Sequence, residues 1–151
     1  MFMRKFHFAL ILAWALMLGV GVAWAQEYGT PDEAKAMLEK AVAALQEDEA
    51  KALEMFSNGE GGFKEKDLYP YCGGPDGNFT AHPRLVGQSL RDLKDKSGNA
   101  FGEEIYTVAT EGTISEVPYM WPRPGEEEPV QKVAFVTKVG DQICAVGYYQ
   151  P

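Results

Sequence analysis

A lysine and two aromatic residues near the C-terminal end are the side chains best suited by type and spacing to do chemistry. Tyr119 and Trp121 are two apart, so on an extended strand they share one face. Lys132 falls on the next strand candidate, close enough in sequence to pair with theirs. A box of rings with an ammonium at its base suits a small carboxylate: the ammonium brings charge and three donors, and the rings keep water from the contact. The same residues also fit a plainer role. Aromatic residues on strands are usually packing, which would leave Lys132 on the surface, and composition alone favours that role.

His82 closes a short extended segment just before Pro83. There its imidazole either donates to a ligand oxygen or bonds the loop backbone, and both readings stay open. Tyr71 is a weaker candidate, because the face it takes depends on how Pro70 bends the strand. No complete catalytic set is present: there is no nucleophile elbow and no metal-ligand cluster. The chain is therefore read as a non-enzyme that needs no metal and no cofactor. Glu126-Glu127-Glu128 is a charge run of the solvated kind, and the acid-rich turn at Asp76 lacks a calcium-loop pattern. The glycines between 59 and 77 never form a phosphate cradle with its Lys-Ser/Thr. Asn78-Phe79-Thr80 fits a glycosylation acceptor that only a eukaryotic secretory pathway would use.

The elements that must position these residues follow from periodicity and punctuation. Thr30-Pro31-Asp32-Glu33 combines a capping residue, a proline suited to the first helical position and a capping-box glutamate. Apolar residues then recur at Met37, Leu38, Ala41, Val42, Leu45, Ala52, Leu53 and Phe56, predicting one long helix that stops at Asn58-Gly59. Its opposite face, with Glu39, Lys40, Glu47, Asp48 and Lys51, reads as solvated. Residues 68–72 and 78–81, separated by Gly-Gly-Pro-Asp-Gly, predict a β-hairpin with a bulge or an unpaired position at Pro70. Residues 84–98 read as irregular, and 101–111 as a helix stopped by Gly112. Strands are predicted over 113–121, 130–139 and 142–149, the last two joined by a tight turn at Gly140-Asp141. An antiparallel sheet with a long helix on one face and shorter helical pieces on the other is an α+β sandwich.

Residues 1–25 are set aside. Arg4, Lys5 and His7 precede an unbroken apolar run from 8 to 25 that ends in Ala-Trp-Ala before Gln26-Glu27. This is the pattern of a secretory signal peptide. The alternative is an uncleaved anchor, since 18 apolar residues reach the lower edge of spanning length. The whole chain of 151 residues carries 14 basic and 22 acidic side chains, a net charge of -8. Removing Arg4 and Lys5 with the leader leaves 12 basic groups against the same 22 acids, hence -10. Such a surface repels nucleic acid and gives an anionic ligand no long-range steering. Residues 26–151 suffice for one self-supporting core. Cys72 and Cys144, an even pair in an exported chain, point to a disulfide, with buried free thiols as the alternative. Without C-x-x-C spacing a redox role is not expected.

Seven short motifs also occur in a familiar order: Asp76-Gly77, Ala81-His82-Pro83, Leu85-Val86-Gly87, Asp92-Leu93-Lys94-Asp95, Tyr119 through Gly125, Pro129-Val130-Gln131-Lys132 and Val146-Gly147-Tyr148-Tyr149. Together they resemble the single Cache domain family of type 2 over nearly all of residues 26–151. The resemblance implies a PAS-like, five-stranded antiparallel sheet with a long N-terminal helix on one face and a helical crossover on the other. First and last strands would be neighbours, bringing Cys72 and Cys144 within bridging distance. It also implies an extracytoplasmic sensor that binds a small organic acid between sheet and crossover, with Lys132, Tyr119, Trp121, His82 and Tyr71 as ligand contacts. Pro70 and Gln131 depart from the family pattern. The family usually precedes a membrane helix and an output module, so this chain reads as a secreted, stand-alone periplasmic form passing its bound state to a separate membrane partner. The alternative is a secreted interaction or scaffold domain with no open pocket.

Overall fold

The computed structural model describes residues 28–151; the predicted leader, residues 1–25, lies outside them. The first element is helix α1 (Pro31–Glu47). Thr30 caps it as the sequence indicates: the Thr30 hydroxyl accepts from the Glu33 N–H at 3.2 Å and the Glu33 carboxylate accepts from the Thr30 N–H at 2.8 Å. The single long helix expected across 31–58 is in fact two, with α2 spanning Glu49–Asn58. Asp48 makes the break. Its backbone is extended (φ -155°), its N–H closes α1 on the Ala44 carbonyl, and its carboxylate opens α2 by accepting from the Lys51 N–H at 3.1 Å. Aspartate competes with the helix by capping it. Leu45 and Ala52 stay on one buried face across the break because they are seven apart, so the apolar period runs through it unchanged.

The strands are β1 (Pro70–Gly73), β2 (Phe79–Ala81), β3 (Ser115–Pro122), β4 (Pro129–Val139) and β5 (Gln142–Tyr149), with helix α3 (Phe101–Val108) in the crossover between β2 and β3. They form one antiparallel sheet in the order β2-β1-β5-β4-β3, so the first and last strands are neighbours. The strand expected over 68–72 begins instead at Pro70, while Leu68 bridges back to Glu65. Pro70 sits in register opposite Val146, and β2 pairs only from Cys72 onward, so its missing N–H interrupts no ladder bond to β2. The bulge falls between Cys72 and Gly73, two residues later than Pro70. Helix α3 stops at Val108, short of Gly112, because Thr110 and Thr113 pair across that turn.

Strand alternation sorts the core into two layers. Cys72, Cys144, Val146, Tyr148, Val133 and Phe135 face α1 and α2, against Leu38, Ala41, Leu45 and Phe56. Tyr71, Ala145, Ala134, Val136, Val117 and Tyr119 face the crossover, against Leu90, Phe101 and Ile105. On the helix side Cys72 and Cys144 stand directly opposite each other, Cα atoms 4.1 Å apart, and form a disulfide. The free-thiol alternative is thereby set aside.

Asp95 fastens the crossover to the sheet. One carboxylate oxygen accepts from the Ser97 and Asn99 N–H groups at 2.9 and 3.0 Å, and the other from the Met120 N–H of β3 at 3.0 Å. Burial raises this carboxyl, but the N–H donors of Met120, Asn99 and Ser97 outweigh it and hold the group below its ordinary range. The loop that covers one face of the sheet is thus pinned beside Tyr119 and Trp121.

Candidate functional site

The crossover layer does not close completely on the sheet. Tyr69, Tyr71, Phe79, His82, Leu90, Phe101, Tyr119 and Trp121 are among the residues enclosing a cavity of about 260 Å³ of empty space, its mouth included. Four of the five residues expected to contact a ligand, Tyr71, His82, Tyr119 and Trp121, therefore share one wall. β3 presents Tyr119 and Trp121 on the same face, ring centroids 6.3 Å apart, and Phe101 of α3 stacks on Tyr119 at 4.2 Å. The Tyr71 and Tyr119 hydroxyls meet at 3.3 Å. Burial pushes both phenols up, Tyr119 well above the usual tyrosine range, so each keeps its proton; one hydroxyl donates to the other, which leaves one O–H of the pair as a donor.

Lys132 is 1% exposed and stands opposite Tyr119 on β3 and Tyr149 on β5. The surface position favoured by composition is ruled out: β4 is covered on both faces. The aromatic box around the ammonium is also not the expected one. Lys132 Nζ lies 4.8 Å from the Tyr69 ring centroid and 4.7 Å from that of Tyr149, and it donates to the Tyr69 hydroxyl at 3.4 Å. Tyr119 and Trp121 line the cavity instead; Lys132 stands behind the lining and reaches it through the Tyr69 hydroxyl. Among the described residues, neither ion pair (Lys66 with Glu33, Arg91 with Glu103) involves Lys132. Tyr69 and Tyr149 were missed, although Tyr149 ends the last of the seven motifs and Tyr69 alternates with Tyr71 in the way that puts two rings on one face.

His82 ends β2 at the mouth. Its Nδ1 accepts from the Arg84 and Leu85 N–H groups at 2.9 and 3.1 Å, which places the proton on Nε2 and leaves Nε2–H as a donor. The loop backbone therefore takes one ring nitrogen, as one of the two readings expects. Burial first, then the Lys132 and Arg84 charges, push the imidazole down to about 4. In the unfolded chain it titrates near 6.5. Between those values the unfolded chain binds more protons than the folded one, so stability is complete above about pH 6.5 and falls as the pH drops toward 4. After allowance for solvent screening the loss is ~2 kcal/mol. Urea unfolding at pH 7 and pH 4.5 checks this against His82→Asn, in which that part of the pH dependence is expected to vanish. Equal pH slopes in both proteins would refute it.

A second, larger cavity of about 870 Å³ adjoins the first and shares Tyr69, His82 and Trp121 with it. Lys64, Lys66 and Arg84 line it, with Asp67 as the acidic neighbour. Among the described residues no cluster of His, Cys, Asp or Glu has the makings of a metal site.

The Single Cache domain 2 family model matches residues 19–147. The methyl-accepting chemotaxis protein McpP of Pseudomonas putida is 36% identical over 56 residues, which are 37% of this chain and 10% of that protein. The chain thus spans about a tenth of the curated relative it matches. Among solved structures, a methyl-accepting chemotaxis protein from Vibrio parahaemolyticus superposes with a TM-score of 0.62 at 22% identity, covering 78% of this chain and 86% of that one. A periplasmic sensor domain of a chemotaxis protein gives 0.58 at 23% identity, covering 80% and 90%. A Cache chemosensory domain studied for carboxylic acid recognition gives 0.56 at 23% identity, covering 80% and 88%. At these identities the three structures establish a shared fold.

Proposed function

The chain belongs to the Single Cache domain 2 family of extracytoplasmic ligand-sensing domains, and from that premise we propose that it binds a short organic acid in the cavity under the crossover. The observation that carries this reading is Lys132. An ammonium removed from water without an acid beside it is costly, and a carboxylate entering between Tyr69, Tyr119 and His82 would supply the missing counter-charge. The protonated tyrosines and the His82 Nε2–H would then complete the oxygen's hydrogen bonds, with Trp121 and Phe101 excluding water. Tyr71 acts through its hydroxyl contact with Tyr119. In this reading residues 1–25 are a leader that directs residues 26–151 across the inner membrane to the periplasm, and the bound state is passed to a membrane-bound transducer.

The competing reading, a protein-contact domain with a filled pocket, draws on one observation. Within the inner cavity the centre of a water molecule is free over only about 20 Å³, so a carboxylate enters only if rings at the mouth move. A filled core, however, gives no reason to keep an unpaired ammonium in it.

The test is a thermal-shift screen of the purified protein against acetate, propionate, amino acids, amines and purines. A ligand at 100 times its Kd is expected to stabilise the fold by about 2.7 kcal/mol, a shift of several degrees. Shifts confined to carboxylates uphold the reading. Silence across the carboxylates removes it and favours the protein-contact domain.

A further inference from the structure

We infer that Gly147 is a positioning residue for Lys132: the missing side chain at this point on β5 is what lets the ammonium reach the site. The inference rests on the reading of Lys132 given above. Gly147 stands opposite Ala134, one step along the sheet face from the row Tyr119, Lys132, Tyr149. Tyr69, the ammonium's hydrogen-bond partner, immediately precedes Pro70, whose partner on β5 is Val146. To reach the Tyr69 hydroxyl the lysine stem must leave its own row and cross β5 over Gly147.

The usual reason for a glycine is absent here. Gly147 does not adopt a positive φ, unlike nine other glycines among the described residues, and a glycine inside a strand weakens it. What the position needs is space. A Cβ at 147 would collide with Lys132 Cε and come within 3.3 Å of both Lys132 Cδ and the Tyr119 hydroxyl. A lysine on a surface would swing its tail aside. This one is enclosed, with Tyr69 and Tyr149 rings beside its ammonium. A methyl group at 147 therefore has to displace either the ammonium from its two rings or the Tyr119 hydroxyl from its 3.3 Å contact with Tyr71. Either displacement changes the surface offered to a carboxylate without removing any group that would touch it.

The experiment uses Gly147→Ala, Lys132→Ala and the double variant, with lysine side chains carrying ¹³C at the ε position. The Lys132 signal is identified by its loss in Lys132→Ala. Between two tyrosine rings it is expected upfield of the exposed lysines, and in Gly147→Ala to lose most of that displacement. Gly147→Ala is expected to lower the melting temperature of the otherwise unchanged protein but not of Lys132→Ala, where the vacated stem leaves room for the methyl. With propionate as the probe, Gly147→Ala is expected to raise Kd about tenfold or more. An unmoved Lys132 signal, or an equal melting loss in both backgrounds, would overturn the inference. If the signal moves as stated while propionate binds neither variant nor unaltered protein, Gly147 still seats Lys132 and it is the carboxylate reading that falls.

Discussion

Lys132→Met is expected to keep the fold as stable as before, or to raise its stability by ~1–3 kcal/mol, while abolishing the response to carboxylates. Methionine keeps an unbranched stem of similar length, so the contacts over Gly147 and between the tyrosine rings persist. What disappears is a charge held 1% exposed with no acidic partner among the described residues. Removing an ion from water costs several kcal/mol even after relaxation. The two cation–π contacts return about 2 kcal/mol each when desolvated, which offsets much of that cost, but the methionine thioether replaces part of this against the same rings, and a donor 3.4 Å from the Tyr69 hydroxyl adds little. The balance favours the apolar replacement. A residue kept against the interest of stability is kept for function, so the sign of the change discriminates between roles. Chemical denaturation of both proteins, with and without propionate, reads both quantities. A loss of more than about 2 kcal/mol on Lys132→Met would make the lysine a structural member of the core.

The sequence made the ends of α1 and the three C-terminal strands legible because local chemistry decides them. Thr30 and Glu33 cap each other whatever the rest of the chain does, and Gly140-Asp141 closes β4 onto β5 as a two-residue turn. The break at Asp48 was hidden because Leu45 and Ala52 keep the helical phase across it. The burial of Lys132 was hidden for a related reason. In β4 the polar pair Gln131 and Lys132 is adjacent, so it occupies both faces and gives no alternating phase to read. Which of the two points inward depends on register with β3 and β5, a property of the sheet and not of the strand. The ring partners of the ammonium come from residues 69 and 149, 80 positions apart and joined only when β1 pairs with β5. No spacing rule within a single segment reaches that far.

The pairing of β1 with β5 is also where the largest effect on stability is expected. Replacing both cysteines with alanine should cost ~4 kcal/mol, because the bond between Cys72 and Cys144 spans 72 positions and a loop of that length loses roughly that much closure entropy in the unfolded chain. For a domain of this size the melting temperature then falls by more than about 10 °C. The loss should not be uniform. β4 is held by long ladders on both sides, whereas β1 has four register pairs with β5 and two with β2. Without the crosslink the β1–β2 edge is the part free to open first. Because side chains alternate, the same strand that sends Cys72 to the helix face sends Tyr71 to the cavity and carries Tyr69 at its start. Opening β1 therefore removes the partner of the Lys132 ammonium and the partner of the Tyr119 hydroxyl together. Hydrogen exchange should show residues 71–73 and 79–81 losing protection well before β4 in the alanine variant. Propionate, by holding Lys132 and the tyrosines in place, should restore part of it. A variant that melts within a few degrees of the parent, or that loses protection evenly across all five strands, would show that the ladder alone holds β1 in the site.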